Sequence, residues 1–239
     1  MRINKILSAA GVASRRQADE LIASDRVTVN GEPIRTPGAA AVWGADRICV
    51  DGREIPAPAH PLYLMLNKPF GVISALKDPE GRPVVTDLLR DVEERVYPVG
   101  RLDFDSLGLL LLTNDGEFAH RMTHPRHRVP RTYKVTLEGT IQDEEIERVR
   151  AGVPLKDGPS GPAGVTLLQR KAGRSVLRMT IHIGRTRIVR RTFEAVGFPV
   201  VQLIRIGFGP LVLGDLKVGA HRHLSEDEVA AARRSVGLS

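Results

Sequence analysis

Arg101, Asp103 and Asp105 fall within five consecutive residues, in the stretch Gly100-Arg101-Leu102-Asp103-Phe104-Asp105. A carboxylate beside an arginine can act as a nucleophile or move a proton, provided that it is held rigid and stays ionised. Rigidity has an obvious source. After a small-residue step at Ser106 and Gly108, the apolar run Leu109 to Leu112 stops at the turn signal Asn114-Asp115-Gly116. The run is too short for a helix and is bounded by turn residues, which predicts a buried strand. The turn therefore sits at the mouth of a core strand. Spacing alone does not separate Asp103 from Asp105, and an Asx-type turn is the plainer use of either.

Two basic groups match this carboxylate turn. Arg185, Arg187, Arg190 and Arg191 occupy four of seven positions in GRTRIVRRTFEAVGF. They would repel one another unless anions are near, and at a helix start the anion can be a phosphate or a catalytic carboxylate. Arg126, Arg128 and Arg131, with Arg121 and Lys134, form a second patch with no acid between them, suited to phosphate. Its two prolines predict irregular backbone in the middle. His120, His124 and His127 lie in the same stretch, but no carboxylate or cysteine stands at ligand spacing, so no metal site is expected. Tyr133 sits in the alternating segment RTYKVTL, a predicted strand, and Lys68 at a predicted strand exit in LNKPFGVI.

GRLDFDSLGLLLLTNDG resembles the signature of RNA pseudouridine synthases, in the RsuA-like branch that modifies ribosomal RNA. The resemblance implies that the aspartate directly after Gly-Arg-Leu, Asp103, is the catalytic one, supported by Arg101. LNKPFGVI is similar to a second family segment, which in relatives helps to shape the active-site region. RTYKVTL resembles the motif whose tyrosine stacks on the flipped uridine, which implies that role for Tyr133. GRTRIVRRTFEAVG is similar to a third motif, and implies that Arg190 pairs with Asp103. It departs from the usual pattern at Thr186, Ile188 and Thr192, where Asn, Gln and Met are common.

The elements that must carry these residues read as follows. Ile3, Ile6, Leu7 and Ala10 fall at helical spacing before Gly11, and Ser14 with Gln17 opens a second helix as a capping box. Val27 and Val29 alternate up to the hairpin signal Asn30-Gly31, and AVWGADRICVDGREI continues as strands. Arg15, Arg16 and Arg26 crowd this small module. It resembles the RNA-binding domain of ribosomal small-subunit protein S-four, which implies RNA contact by those arginines. A proline-punctuated linker follows at 56–61, predicted to be stiff, and is the expected boundary between a domain at 1–55 and one at 62–239. In the second domain Ser74 to Pro83 is expected as an exposed loop, 141–157 as a helix, Leu167 to Ile183 as two strands around Gly173, and Ser225 to Val236 as a capped final helix. The fold class expected is α+β, with a mixed, largely antiparallel sheet in the second domain.

Composition narrows the partners. The chain has 239 residues, a formal net charge of +7 and one cysteine, Cys49. The excess of base favours a polyanion, with nucleic acid ahead of anionic membrane because no basic amphipathic helix with aromatic anchors stands out. One cysteine excludes an internal disulfide, and the N-terminus lacks a signal-peptide core, so a cytoplasmic protein is expected. Aromatic residues are only 4% of the chain, which argues against a surface paved with stacking rings.

The resemblance implies an isomerase that converts a uridine in ribosomal RNA to pseudouridine, with 23S rRNA favoured over 16S by the wording of the Asp103 motif (a RluB-like branch). Free rRNA and partly assembled subunits are both candidate substrates. The reaction breaks the glycosidic bond, turns the base and rejoins it through carbon 5, so no redox cofactor, nucleotide or metal is required. Lys68, Arg126, Arg128, Arg131, Arg185, Arg187 and Arg191 are the expected RNA contacts, and a monomer is the default. A noncatalytic assembly factor and a transfer-RNA enzyme are the alternatives. The first has no use for a carboxylate facing phosphates, and nothing in the sequence favours the second.

Overall fold

The structure is a computed structural model that describes every residue except Pro37, Pro58 and Ala59. Part of the expected linker, Pro58 and Ala59, thus lies outside the described residues. By packing the chain forms two units. The first comprises Met1–Leu62 with Val92–Val96 and Asn114–Gly116; the second comprises the remainder.

In the first unit, helices α1 (Ile3–Ala9) and α2 (Arg15–Ala23) pack beside a small sheet of β1 (Val27–Val29), β2 (Glu32–Pro33), β3 (Ile48–Val50) and β4 (Arg53–Glu54). Ser14 and Gln17 form the reciprocal capping box read from the sequence, which satisfies two of the free N–H groups at the start of α2. Asn30 and Gly31 both take positive φ between β1 and β2, as a tight hairpin turn requires. Ile3, Ile6, Leu7, Ala18, Ile22 and Val27 are buried together as the core. Arg15 and Arg16 are exposed on α2, and Arg26 forms an exposed ion pair with Asp51 at 2.5 Å.

The second unit is built on one nine-stranded sheet. Its strands are β5 (Tyr63–Lys68), β6 (Tyr97–Pro98), β7 (Leu107–Thr113), β8 (Arg131–Glu138), β9 (Gly164–Lys171), β10 (Arg174–Ile181), β11 (Val200–Phe208), β12 (Leu211–Val212) and β13 (His221–His223). Along the sheet the order is β13-β5-β7-β11-β8-β10-β9, with β6 and β12 paired to β7 and β11. Only β7–β11 is parallel among the described strands, so the sheet is mixed and largely antiparallel. Four helices complete the unit: α3 (Gly116–Thr123), α4 (Asp143–Ala151), α5 (Ile188–Glu194) and α6 (Glu226–Ser235).

The strand predicted from the leucine run is β7, paired on both sides, which is why its apolar residues run without alternation. Leu109 and Leu111 pack with Met65, Phe118, Met122 and Phe208 in the main core. Two details differ from the sequence reading. The stretch after Gly116 forms the helix α3 as far as Thr123, and its irregular part is confined to a 3-10 turn at Pro125–His127 and the Pro130 approach to β8. The helix expected over 141–157 stops at Ala151, where Gly152 turns the chain with φ +96°.

Gly108 is where the sheet admits no side chain. Its φ is +102°, and a Cβ there would lie 2.2 Å from the Arg205 carbonyl oxygen of the parallel neighbour. Only glycine fits so close a backbone approach.

Candidate active site

The Asp103 turn leaves β6 and enters β7, and three residues of the 68–74 segment fix it. The Lys68 Nζ donates to the Ser106 carbonyl at 2.8 Å. The Gly71 N–H donates to the Phe104 carbonyl at 3.0 Å. The Ser74 hydroxyl donates to the Leu102 carbonyl at 2.9 Å and accepts from the Leu102 N–H at 3.1 Å. These clamps fall on residues 102, 104 and 106, so Asp103 and Asp105 sit between fixed points. The 68–74 segment thus supports the turn through its backbone and the two buried polar side chains of Lys68 and Ser74. Buried polar groups with partners of this kind specify one geometry.

This assignment corrects one expectation. Lys68 was expected to contact RNA, but its side chain is completely buried and its ammonium is held by the Ser106 and Pro69 carbonyls. Burial lowers its pKa to about 8, with the Asp105 and Asp103 charges opposing the fall.

Asp103 is half-buried and lines a cleft of about 230 Å³ together with Arg101, Arg131, Tyr133, Arg187 and Arg205. Ile181, Leu203 and Phe208 supply apolar wall. Tyr133 on β8 lies directly across from Arg205 on β11, which in turn lies across from Gly108 on β7. A row of cross-strand neighbours therefore joins the tyrosine to the strand that follows the Asp103 turn. Arg101 is exposed at the cleft edge. Arg131 is largely buried, donates to the Val129 carbonyl and stands 5.3 Å from the Phe208 ring centre; burial disfavours its charged form.

Arg205 is the residue that sequence reasoning passed over. It is 2% exposed, its Nε donates to the Leu109 carbonyl at 2.7 Å, and its guanidinium lies 4.9 Å from the Phe208 ring centre. Burial pushes its pKa down while the neighbouring Tyr133 hydroxyl opposes that. Its Nη2 has no hydrogen-bond partner among the described residues, and the Ser106 hydroxyl beside the cleft is likewise unpartnered. Both are buried polar atoms beside the cleft that the described residues leave unmet, which is uncommon in a folded interior. The signal was present: in VVQLIRIGF, Arg205 occupies the inward face between Leu203 and Gly207.

The four clustered arginines do have anions, but they are two protein carboxylates. Arg187 reaches Asp105 at 3.1 Å and Arg190 reaches it at 3.3 Å, and the Arg190 Nη2 also donates to the Asp105 carbonyl at 2.9 Å. Arg191 binds Asp157 through both carboxylate oxygens, and Arg185 donates to the carbonyls of Asp157, Gly158 and Pro159. Arg190 does not pair with Asp103, the partner expected for it; α5 directs it to the neighbouring carboxylate, Asp105. Arg185 and Arg191, expected on RNA, are likewise engaged by the 157–159 loop. Arg126 and Arg128 are exposed and form no ion pair among the described residues, Arg126 donating to His127.

Residues 62–195 match the family described as RNA pseudouridylate synthase, and residues 1–40 match the S4 domain. The chain is 43% identical to ribosomal large subunit pseudouridine synthase B of Bacillus subtilis, over 97% of this chain and 95% of the relative. It is 41% identical to an uncharacterized RNA pseudouridine synthase of Aquifex aeolicus, over 100% of this chain and 96% of that one. It is 36% identical to ribosomal small subunit pseudouridine synthase A of Escherichia coli, over 97% and 99%. A pseudouridylate synthase crystal structure superposes with a TM-score of 0.70 at 29% identity, covering 97% of this chain and 99% of the other. With an S4 domain ahead of a catalytic sheet matched over most of its length, this chain belongs to the RNA pseudouridylate synthase family and is an isomerase acting on RNA.

Proposed function

We propose that the protein isomerises one uridine of large-subunit (23S) ribosomal RNA, with Asp103 as the catalytic carboxylate. The observation that carries the reading is the shared cleft of Asp103 and Tyr133, floored by a cross-strand row and walled by Arg131 and Arg205. A uridine must leave its stack to be cut from its ribose, and an aromatic face receives it at little cost in specificity. Tyr133 takes that role, and Arg101 at the cleft edge meets the ribose-phosphate beside it. Asp103 either attacks the sugar or base covalently or removes a proton, and each route needs the ionised carboxylate.

Asp103 forms no ion pair among the described residues. The buried Lys68 lies close enough to feel the Asp103 charge, and Arg131, Arg187 and Arg205 line the same cleft. Arg190 supports the reaction indirectly, by holding Asp105 and so the far side of the same turn.

The division of labour is an RNA-binding domain over 1–55, a linker over 56–61 and a catalytic domain over 62–239. Arg15, Arg16 and Arg26 add phosphate affinity to that of Arg126 and Arg128, positioning RNA without reading its sequence. The large-subunit choice is supported by the Bacillus subtilis relative, which is more similar than the small-subunit relative from Escherichia coli. A cytoplasmic monomer fits the chemistry, and no described helix is long and apolar enough to cross a membrane.

The test is to incubate the full chain with separate 16S and 23S transcripts, and with partly assembled subunits, and to map pseudouridine by carbodiimide labelling and primer extension. One new stop on 23S RNA supports the reading. A stop on 16S RNA moves the target to the small subunit, and none on any substrate favours a noncatalytic assembly factor.

A further inference from the structure

Phe70 and Phe104 are 63% and 47% exposed, yet their ring centres are 6.0 Å apart with a tilt of 56°. Phe118, Phe193 and Phe208, by contrast, are buried. Isolated exposed apolar residues are ordinary, but two touching rings left open to water are a patch that gains from a cover. Neither ring belongs to the core. The backbone bond from Gly71 to Phe104 fixes the turn without needing an aromatic side chain at either position.

Their place says what the cover is. Phe104 lies between Asp103, which lines the catalytic cleft, and Asp105, which lines a neighbouring depression with Phe70, Arg174 and Arg190. The exposed Phe104 ring thus belongs to the residue next to the one that would meet the flipped base. The depression beyond it offers the exposed cation Arg174 for backbone phosphate. We propose that Phe70 and Phe104 form a stacking platform for the unpaired nucleobase next to the target uridine. The platform holds the flanking strand while the uridine enters the cleft, so it rests on the reading that Asp103 faces the flipped base. Stacking of this kind tolerates any base, because every base has a π-face.

The test uses the full chain and two fluorescein-labelled 12-nucleotide probes, oligoadenylate and an abasic RNA of equal charge, read by fluorescence anisotropy. The parent should bind oligoadenylate more tightly than abasic RNA. In the Phe70→Leu, Phe104→Leu double variant, which keeps apolar bulk but removes both rings, oligoadenylate should bind roughly five- to fifty-fold more weakly. Abasic affinity should stay the same. Asp103→Asn should keep the oligoadenylate preference, so a failed catalytic assignment leaves this measurement interpretable. Equal probe affinities in the parent, or a preference that survives in the double variant, would overturn the proposal. A parent dimer that the double variant converts to monomer by sedimentation would also overturn it, since the rings would then be covered by a second copy.

Discussion

The Arg190 guanidinium stands 3.3 Å from a carboxylate oxygen of Asp105 and 2.9 Å from that residue's carbonyl, not from Asp103. Because Arg190 is 5% exposed, its charge needs that acid. Two aspartates of one turn therefore differ: Asp105 pairs with the buried Arg190 and the exposed Arg187, and Asp103 forms no ion pair among the described residues. Asp105→Asn should destabilise the fold by about 1–2 kcal/mol, since the half-exposed acid is lost while the Arg190 bonds to carbonyls survive. Urea denaturation measures this. Turnover should fall by about tenfold, far less than for Asp103.

Lys68 makes stability depend on pH. The unfolded lysine keeps its proton up to about 10.5, whereas the folded one releases it near 8. Between these values the unfolded chain binds more protons, so this residue's contribution to stability rises with pH across the window and is flat below it, by at most roughly 3 kcal/mol. Lys68→Met should abolish that rise. Urea midpoints of parent and variant at pH 7.5 and 9.5 check it, the difference between the two slopes being the readout.

Gly108→Ala should be among the most damaging single-methyl changes. The added Cβ meets the Arg205 carbonyl at 2.2 Å, in a backbone region that alanine disfavours. A loss above about 3 kcal/mol is expected from such overpacking against rigid backbone. Thermal denaturation of the purified variant, or its failure to accumulate in soluble form, reports it.

Much of this was legible beforehand, and for physical reasons. The β7 strand and the capping boxes of α2 and α6 follow from local patterns, since turn residues and reciprocal caps are short-range signals. Lys68 and Arg190 were less legible because their partners lie far along the chain: Ser106 is 38 residues from Lys68, and Asp105 is 85 from Arg190. A basic residue shows in sequence; which carbonyl or carboxylate it meets is decided by tertiary packing. Arg205 was missed because an arginine in an apolar strand resembles an edge residue until the pairing on both its sides is known.

Tyr133 and Arg205 should separate by kind of substitution. Tyr133→Phe keeps the ring face and should retain activity within about tenfold. Tyr133→Ala should lose roughly 5- to 150-fold, the range of one base–aromatic stack. Arg205→Gln removes the buried cation behind the tyrosine and should lower kcat more than it raises KM. Steady-state kinetics on the mapped RNA distinguish these outcomes.

The central claim is that Asp103, and not Asp105, performs the chemistry. Its most direct test is single-turnover pseudouridine formation by Asp103→Asn, on an RNA that the parent modifies, with RNA affinity measured alongside. The predicted result is a loss of about a thousandfold or more with binding and folding retained. Near-parental turnover in Asp103→Asn, or an equal loss in Asp105→Asn without unfolding, would contradict it.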